Sequence, residues 1–203
     1  FHKNKRGIAM LDKANISQLT TKISKQREIR LEDIPTMELY MEQLLGFLNK
    51  QLAHHDDDKQ SVFTKTMINN YTKDGLLIPP KNKKYNQQHI MLLALIHNLK
   101  GILSINDIKH LLGPVLRDVN TPDDDLLPLD TIYKTYLKMS SLVLHDFNKS
   151  VATNITLITE LADKLEGEAD TVIAEKVLTI LALVAQANMN KALAEILLND
   201  YKQ

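Results

Sequence analysis

Along most of this chain apolar residues recur every three or four positions rather than alternating, so the elements predicted are helices with one buried stripe. Met37, Tyr40, Met41, Leu44, Leu45, Leu48 and Leu52 predict a first helix that starts at Pro35 and ends near Ala53. A shorter helix is expected over residues 64–74. On a wheel of 100° per residue, Met67, Ile68 and Tyr71 share one arc, and Lys65, Thr66, Asn69, Asn70 and Lys73 fill the opposite one. Thr64 is placed to cap its start and Gly75 to end it in a left-handed turn. Leu76, Leu77 and Ile78 then return the chain to the core. Pro79 and Pro80 force an extended path, which leaves Lys81, Lys83 and Lys84 on a short loop or wing closed by Tyr85.

The next helix is expected over residues 87–99, with Ile90, Leu93, Ala94 and His97 among its stripe positions. Ser104 and Asp107 form a capping-box-like start for another, which buries Ile105, Ile108, Leu111 and Leu112 and is stopped by Gly113 and Pro114. His97 and His110 are assigned structural roles. Beyond the acidic, Pro-bearing "RDVNTPDDDLLPLD", one stripe runs Ile132, Tyr136, Met139, Val143, Phe147 and another Val151, Ile155, Ile158, Ala162, Leu165, broken at Gly167. A last helix over residues 170–198 is apolar nearly all round in "VLTILALVAQA", which implies burial on several sides. Three such helices make a small bundle, an oligomer interface, or both.

The fold class is therefore all-α, with room for one small hairpin, and the 203 residues, 44% hydrophobic, suffice for a real core. Charge balances at 25 basic and 25 acidic groups but is unevenly placed. Residues 1–30 carry eight basic and two acidic groups, 31–58 one and seven, and 59–84 six and one. The segment from Lys59 to Lys84 is a basic island between acidic neighbours, as expected of a module that faces a polyanion.

Absence of cysteine excludes disulfides, thiolate zinc sites and thiol nucleophiles. No apolar run approaches the roughly 18 residues of a membrane span, and no secretory signal is visible, so a cytoplasmic protein without membrane contact is expected. "HHDDDKQ", His54 to Gln60, reads as a solvated loop rather than an ion site, and Asp123 to Asp125 as at most a weak cation attractor. There is no GxSxG elbow, phosphate-binding Gly-rich loop or HExxH. A non-enzymatic protein without cofactors is expected.

The order helix, "TMINNYTKDGLL", "PP", "KKY", apolar helix, "LSINDIKHLL" resembles the DNA-binding module of MerR-type regulators, in which a recognition helix ending in a Gly-Leu-Leu turn leads to a basic wing. Over residues 34–112 the chain more closely resembles an uncharacterised bacterial family, domain of unknown function 1836. The resemblance to MerR regulators puts Asn69, Asn70 and Tyr71 where that family has an arginine and two tyrosines, and Lys83 and Tyr85 on its wing arginine and tyrosine. It implies a MerR-like winged helix-turn-helix domain followed by a small C-terminal helical bundle. The expected organisation is a partly ordered basic arm over 1–32, the DNA-binding domain over 33–116, an acidic linker over 117–130, and a bundle over 131–203 that serves dimerisation or accepts an effector or partner.

The chemistry of the outer face also suits a groove of double-stranded DNA. Asn69 and Asn70 can pair with adenine edges, and Thr66 can meet a thymine methyl. Lys65, Lys73, Lys81, Lys83 and Lys84 would meet phosphates. A homodimer is expected, holding two recognition helices roughly 34 Å apart. The alternative is a helical protein–protein interaction module without DNA binding, in which the apolar C-terminal helices accept a partner helix.

Overall fold

The computed structural model describes residues 18–20, 28–53, 61–118, 128–164 and 171–202. In chain order the elements are β1 (Leu39–Tyr40), α1 (Met41–Leu52), α2 (Lys65–Lys73), β2 (Lys84–Tyr85), α3 (Gln87–Leu99), α4 (Ile105–Asp118), α5 (Leu129–Ala162) and α6 (Thr171–Tyr201), with a 3-10 turn at Leu31–Asp33 before them. Among the described residues the all-α expectation holds apart from one two-stranded antiparallel ladder, which pairs Leu39 with Tyr85 and Tyr40 with Lys84.

The chain divides into two compact units, the larger formed by Ile23–Ser141 with Glu195–Gln203 and the smaller by Phe1–Lys22 with Leu142–Ala194. The larger has one contiguous apolar core. Leu44, Leu48 and Leu52 from α1, Ile68 from α2, Ile90, Leu92 and Leu93 from α3, and Ile108 from α4 are all fully enclosed. Each such side chain stabilises the fold by about 1.5–3 kcal/mol through removal from water. Helix α3 is buried on nearly all sides from His89 to Ile96 and forms the axis of this core. Tyr133 is completely enclosed, and its hydroxyl donates to the Ile29 carbonyl at 2.7 Å, tying α5 to the segment ahead of β1. In the smaller unit Val151, Ile155, Ile158 and Ala162 of α5 are buried, as are the polar Thr20, Glu175 and Thr179; the Thr20 hydroxyl donates to the Asn148 side chain.

Four sequence expectations are corrected. Helix α1 starts at Met41, not at Pro35, because Leu39 and Tyr40 are extended in the ladder with β2; Met37 and Tyr40 are exposed. Pro114 does not stop α4, which continues to Asp118. Buried Leu112 and Val115 on either side of the proline hold that helix to the core, and this packing outweighs one missing backbone hydrogen bond. The two apolar runs after residue 131 form a single 34-residue helix, α5, so two long helices stand where three were expected. Lastly, α6 is not enclosed: Ile180, Leu181, Met189, Leu193, Ile196 and Leu197 are all about 60% exposed.

By length and composition alone α6 could cross a membrane, although no single apolar run in the sequence suggests it. His54 to Gln60, Asp123 to Asp125, Gly167, most of the basic arm and most of the acidic linker lie outside the described residues.

Candidate nucleic-acid interface

Helix α2 has few residues but several devices fix its orientation. The Thr64 hydroxyl accepts the Met67 N–H at 3.3 Å and caps its first turn. Ahead of it, the Asn49 side chain of α1 bonds both backbone groups of Phe63, accepting from N–H at 2.8 Å and donating to the carbonyl at 3.1 Å. This fixes where α2 begins. At the other end Gly75 has φ 72°, and the Leu76 and Leu77 N–H groups both donate to the Tyr71 carbonyl, at 2.8 and 3.0 Å. A left-handed residue at that position lets otherwise orphaned groups be satisfied, as in other glycine-terminated helices.

With its ends fixed, α2 buries Ile68 and Tyr71 and exposes Lys65, Thr66, Asn69, Asn70 and Lys73. The wheel thus gives the correct faces. Thr72 is only half exposed, and its hydroxyl donates back to the Ile68 carbonyl.

The wing is a tight turn from Lys81 to Lys84. Asn82 and Lys83 have φ of 52° and 62°, the signature of a turn whose two central residues are both left-handed, and the Lys84 N–H donates to the Lys81 carbonyl at 2.9 Å. Lys81, Asn82 and Lys83 are exposed at the tip. Lys84 is half-buried, and its ammonium lies 5.6 Å from the centre of the Tyr40 ring across the ladder.

Two of the ten predicted contact residues are corrected. Tyr71 and Tyr85 are 7% and 4% exposed, and burial raises the pKa of both hydroxyls. They anchor the helix and the wing to the core rather than face outward. Their apolar bulk suits burial better than a water-facing position between lysines.

Sequence reasoning missed the base of the wing. Asn86 caps α3 by accepting the His89 N–H at 3.3 Å, while His89 Nδ1 accepts the Asn86 N–H at 3.1 Å. The His89 ring packs edge-on to Tyr85 at 5.2 Å and is almost fully buried. Burial lowers its pKa, against the opposing pull of the Ile78 and Pro79 carbonyls and the Glu38 charge. A neutral imidazole therefore joins the cap to the wing strand. The signal was present as an Asn and a His three apart ahead of an apolar run, but a capping pair is usually sought as Ser or Thr with Glu or Gln.

Elsewhere in the larger unit an open groove of about 620 Å³ is bordered by Asn106, Lys109, His110 and Lys202. Lys202 makes a 2.6 Å ion pair with Asp107, which together with the Ser104 hydroxyl holds that carboxyl down at about 2. Among the described residues no cluster of three His, Asp or Glu side chains could hold a metal ion.

The family description Domain of unknown function (DUF1836) matches residues 29–136, just over half of the chain. The chain belongs to this family. The DUF1836 segment falls wholly within the larger compact unit and contains the core, α2, the wing and the His89 anchor; Leu142–Ala194 lies outside it. No curated protein and no solved structure matches the chain.

Proposed function

We propose that the DUF1836 segment binds double-stranded DNA as a regulator of transcription, with α2 as the recognition helix and the turn from Lys81 to Lys84 as a wing of the MerR type. The observation that carries this reading is the division of α2: Ile68 and Tyr71 are buried, whereas Lys65, Thr66, Asn69, Asn70 and Lys73 are all exposed on a helix fixed at both ends. Asparagine amides offer a donor and an acceptor in the geometry of an adenine edge, and the lysines supply phosphate contacts that position without specifying.

The test is duplex binding at several salt concentrations. If the five lysines each neutralise one phosphate, log affinity falls against log salt with a slope of about −4.5 per protomer. Reversing charge at Lys83 and Lys84 should abolish retention, and selection from random duplexes should enrich a two-fold symmetric site. A flat salt response overturns the proposal. The second reading, an interaction module without DNA binding, is favoured by the exposed apolar side chains of α5 and α6. On that reading the Lys83 and Lys84 reversals leave partner binding intact.

A further inference from the structure

In α6 the outward side is more apolar than the inward side. Glu175 and Thr179 are 5% and 6% exposed, whereas Ile173, Val177, Ile180, Leu181 and Val184 are 50–60% exposed. At 100° per residue these five fill an arc of about 100° on the side opposite Glu175 and Thr179. A helix at the surface of a monomer in water has the reverse arrangement. We propose that this stripe is where two copies of the chain pair, their α6 helices running antiparallel.

Three observations select a second copy as the occupant. The first is spacing. Ile173, Val177, Ile180 and Val184 are separated by four, three and four residues, an order that reads the same from either end. A two-fold axis between residues 178 and 179 therefore sets Ile173 against the partner's Val184 and Val177 against the partner's Ile180, so one stripe satisfies itself twice. Steps of three and four are also those that interlock between helices crossing at about 20°.

The second is area. The stripe's five side chains, Ile173, Val177, Ile180, Leu181 and Val184, are each exposed by half or more. Together they present on the order of 500 Å² of apolar surface, so that pairing two copies removes on the order of 1,000 Å² from water, the size at which a specific interface begins.

The third is the short extent of the stripe, which argues against lipid although the helix as a whole is long enough to cross a membrane. The stripe covers twelve residues, roughly 18 Å of helix, against a hydrocarbon core of roughly 30 Å. The next positions on the same arc are Asn188, Lys191 and Glu195. The pairing does not depend on whether α2 meets DNA.

The chain has no cysteine, so single-cysteine variants of the full chain report on the pairing directly. About the proposed axis, two copies of residue 180 are offset by only about 5 Å along the helices, and two copies of residue 191 by roughly 38 Å. Ile180→Cys should be joined to its copy by a short bismaleimide and Lys191→Cys should not. In sedimentation at tens of micromolar the wild type should be a dimer, and Ile180→Glu should weaken it at least tenfold with unchanged helical circular dichroism, because that position is 60% exposed. A monomeric wild type, crosslinking at both positions, or a dimer indifferent to Ile180→Glu overturns the proposal. So does a monomer that floats with phosphatidylglycerol vesicles.

Discussion

Single residues in this fold hold more than their own place. Asn49 substitutes for a strand partner by bonding both backbone groups of Phe63. Asn49→Ala should cost about 2 kcal/mol in denaturant unfolding, because it leaves a part-buried donor and acceptor unmet. His89 is the pH-sensitive point. Its folded pKa lies below the ordinary 6.5, so the unfolded chain takes up the proton first, and His89 should erode stability as pH falls below about 6.5 while leaving it unchanged above. His89→Gln should flatten that part of a melting-temperature profile; an unchanged slope would show that the ring is not the group responsible. Asp107 acts in the same direction lower down, its contribution present above about 3.8 and lost as pH drops toward 2. These roles were only partly legible. Thr64 and Gly75 announce themselves by type and position, whereas Asn49 and Phe63 meet across a loop, and nothing in their spacing says so. Tyr71 stands on the inward arc of the wheel and becomes a contact candidate only through the MerR resemblance, and its burial follows the wheel.

At the level of elements, periodicity succeeded where one side of a helix is buried by its neighbours and failed where something non-local intervenes. The limits of α2 were readable because its caps are local, those of α3 because its apolar run is long, and the opposed faces of α2 follow from the wheel alone. The start of α1 was not, since it depends on β1 pairing with a strand some forty-five residues later. Pro114 illustrates a second failure: a local breaker is overruled when core side chains flank it closely. Replacing it by alanine restores a backbone donor and improves helix propensity, so Pro114→Ala should raise stability by about 1–3 kcal/mol in chemical denaturation. Gly75→Ala should do the opposite by about 1 kcal/mol. A methyl there meets nothing within 4 Å, so the cost is that of the left-handed backbone alone.

For the whole molecule, composition bounded the fold class but not which surfaces are covered. An apolar sequence such as that of α6 reads as interior; its exposure appears only in three dimensions. If that exposure is relieved by pairing, the melting temperature of the full chain should rise with protein concentration, as it does whenever association favours the folded state. The path of the backbone has its own consequence. Glu195–Gln203 belongs to the same compact unit as Ile23–Ser141, where Leu198 is buried and Lys202 bridges to Asp107. A fragment cut to the limits of the family match would discard that returning tail, so a minimal version of the protein should carry residues 195–203 as well as 23–141.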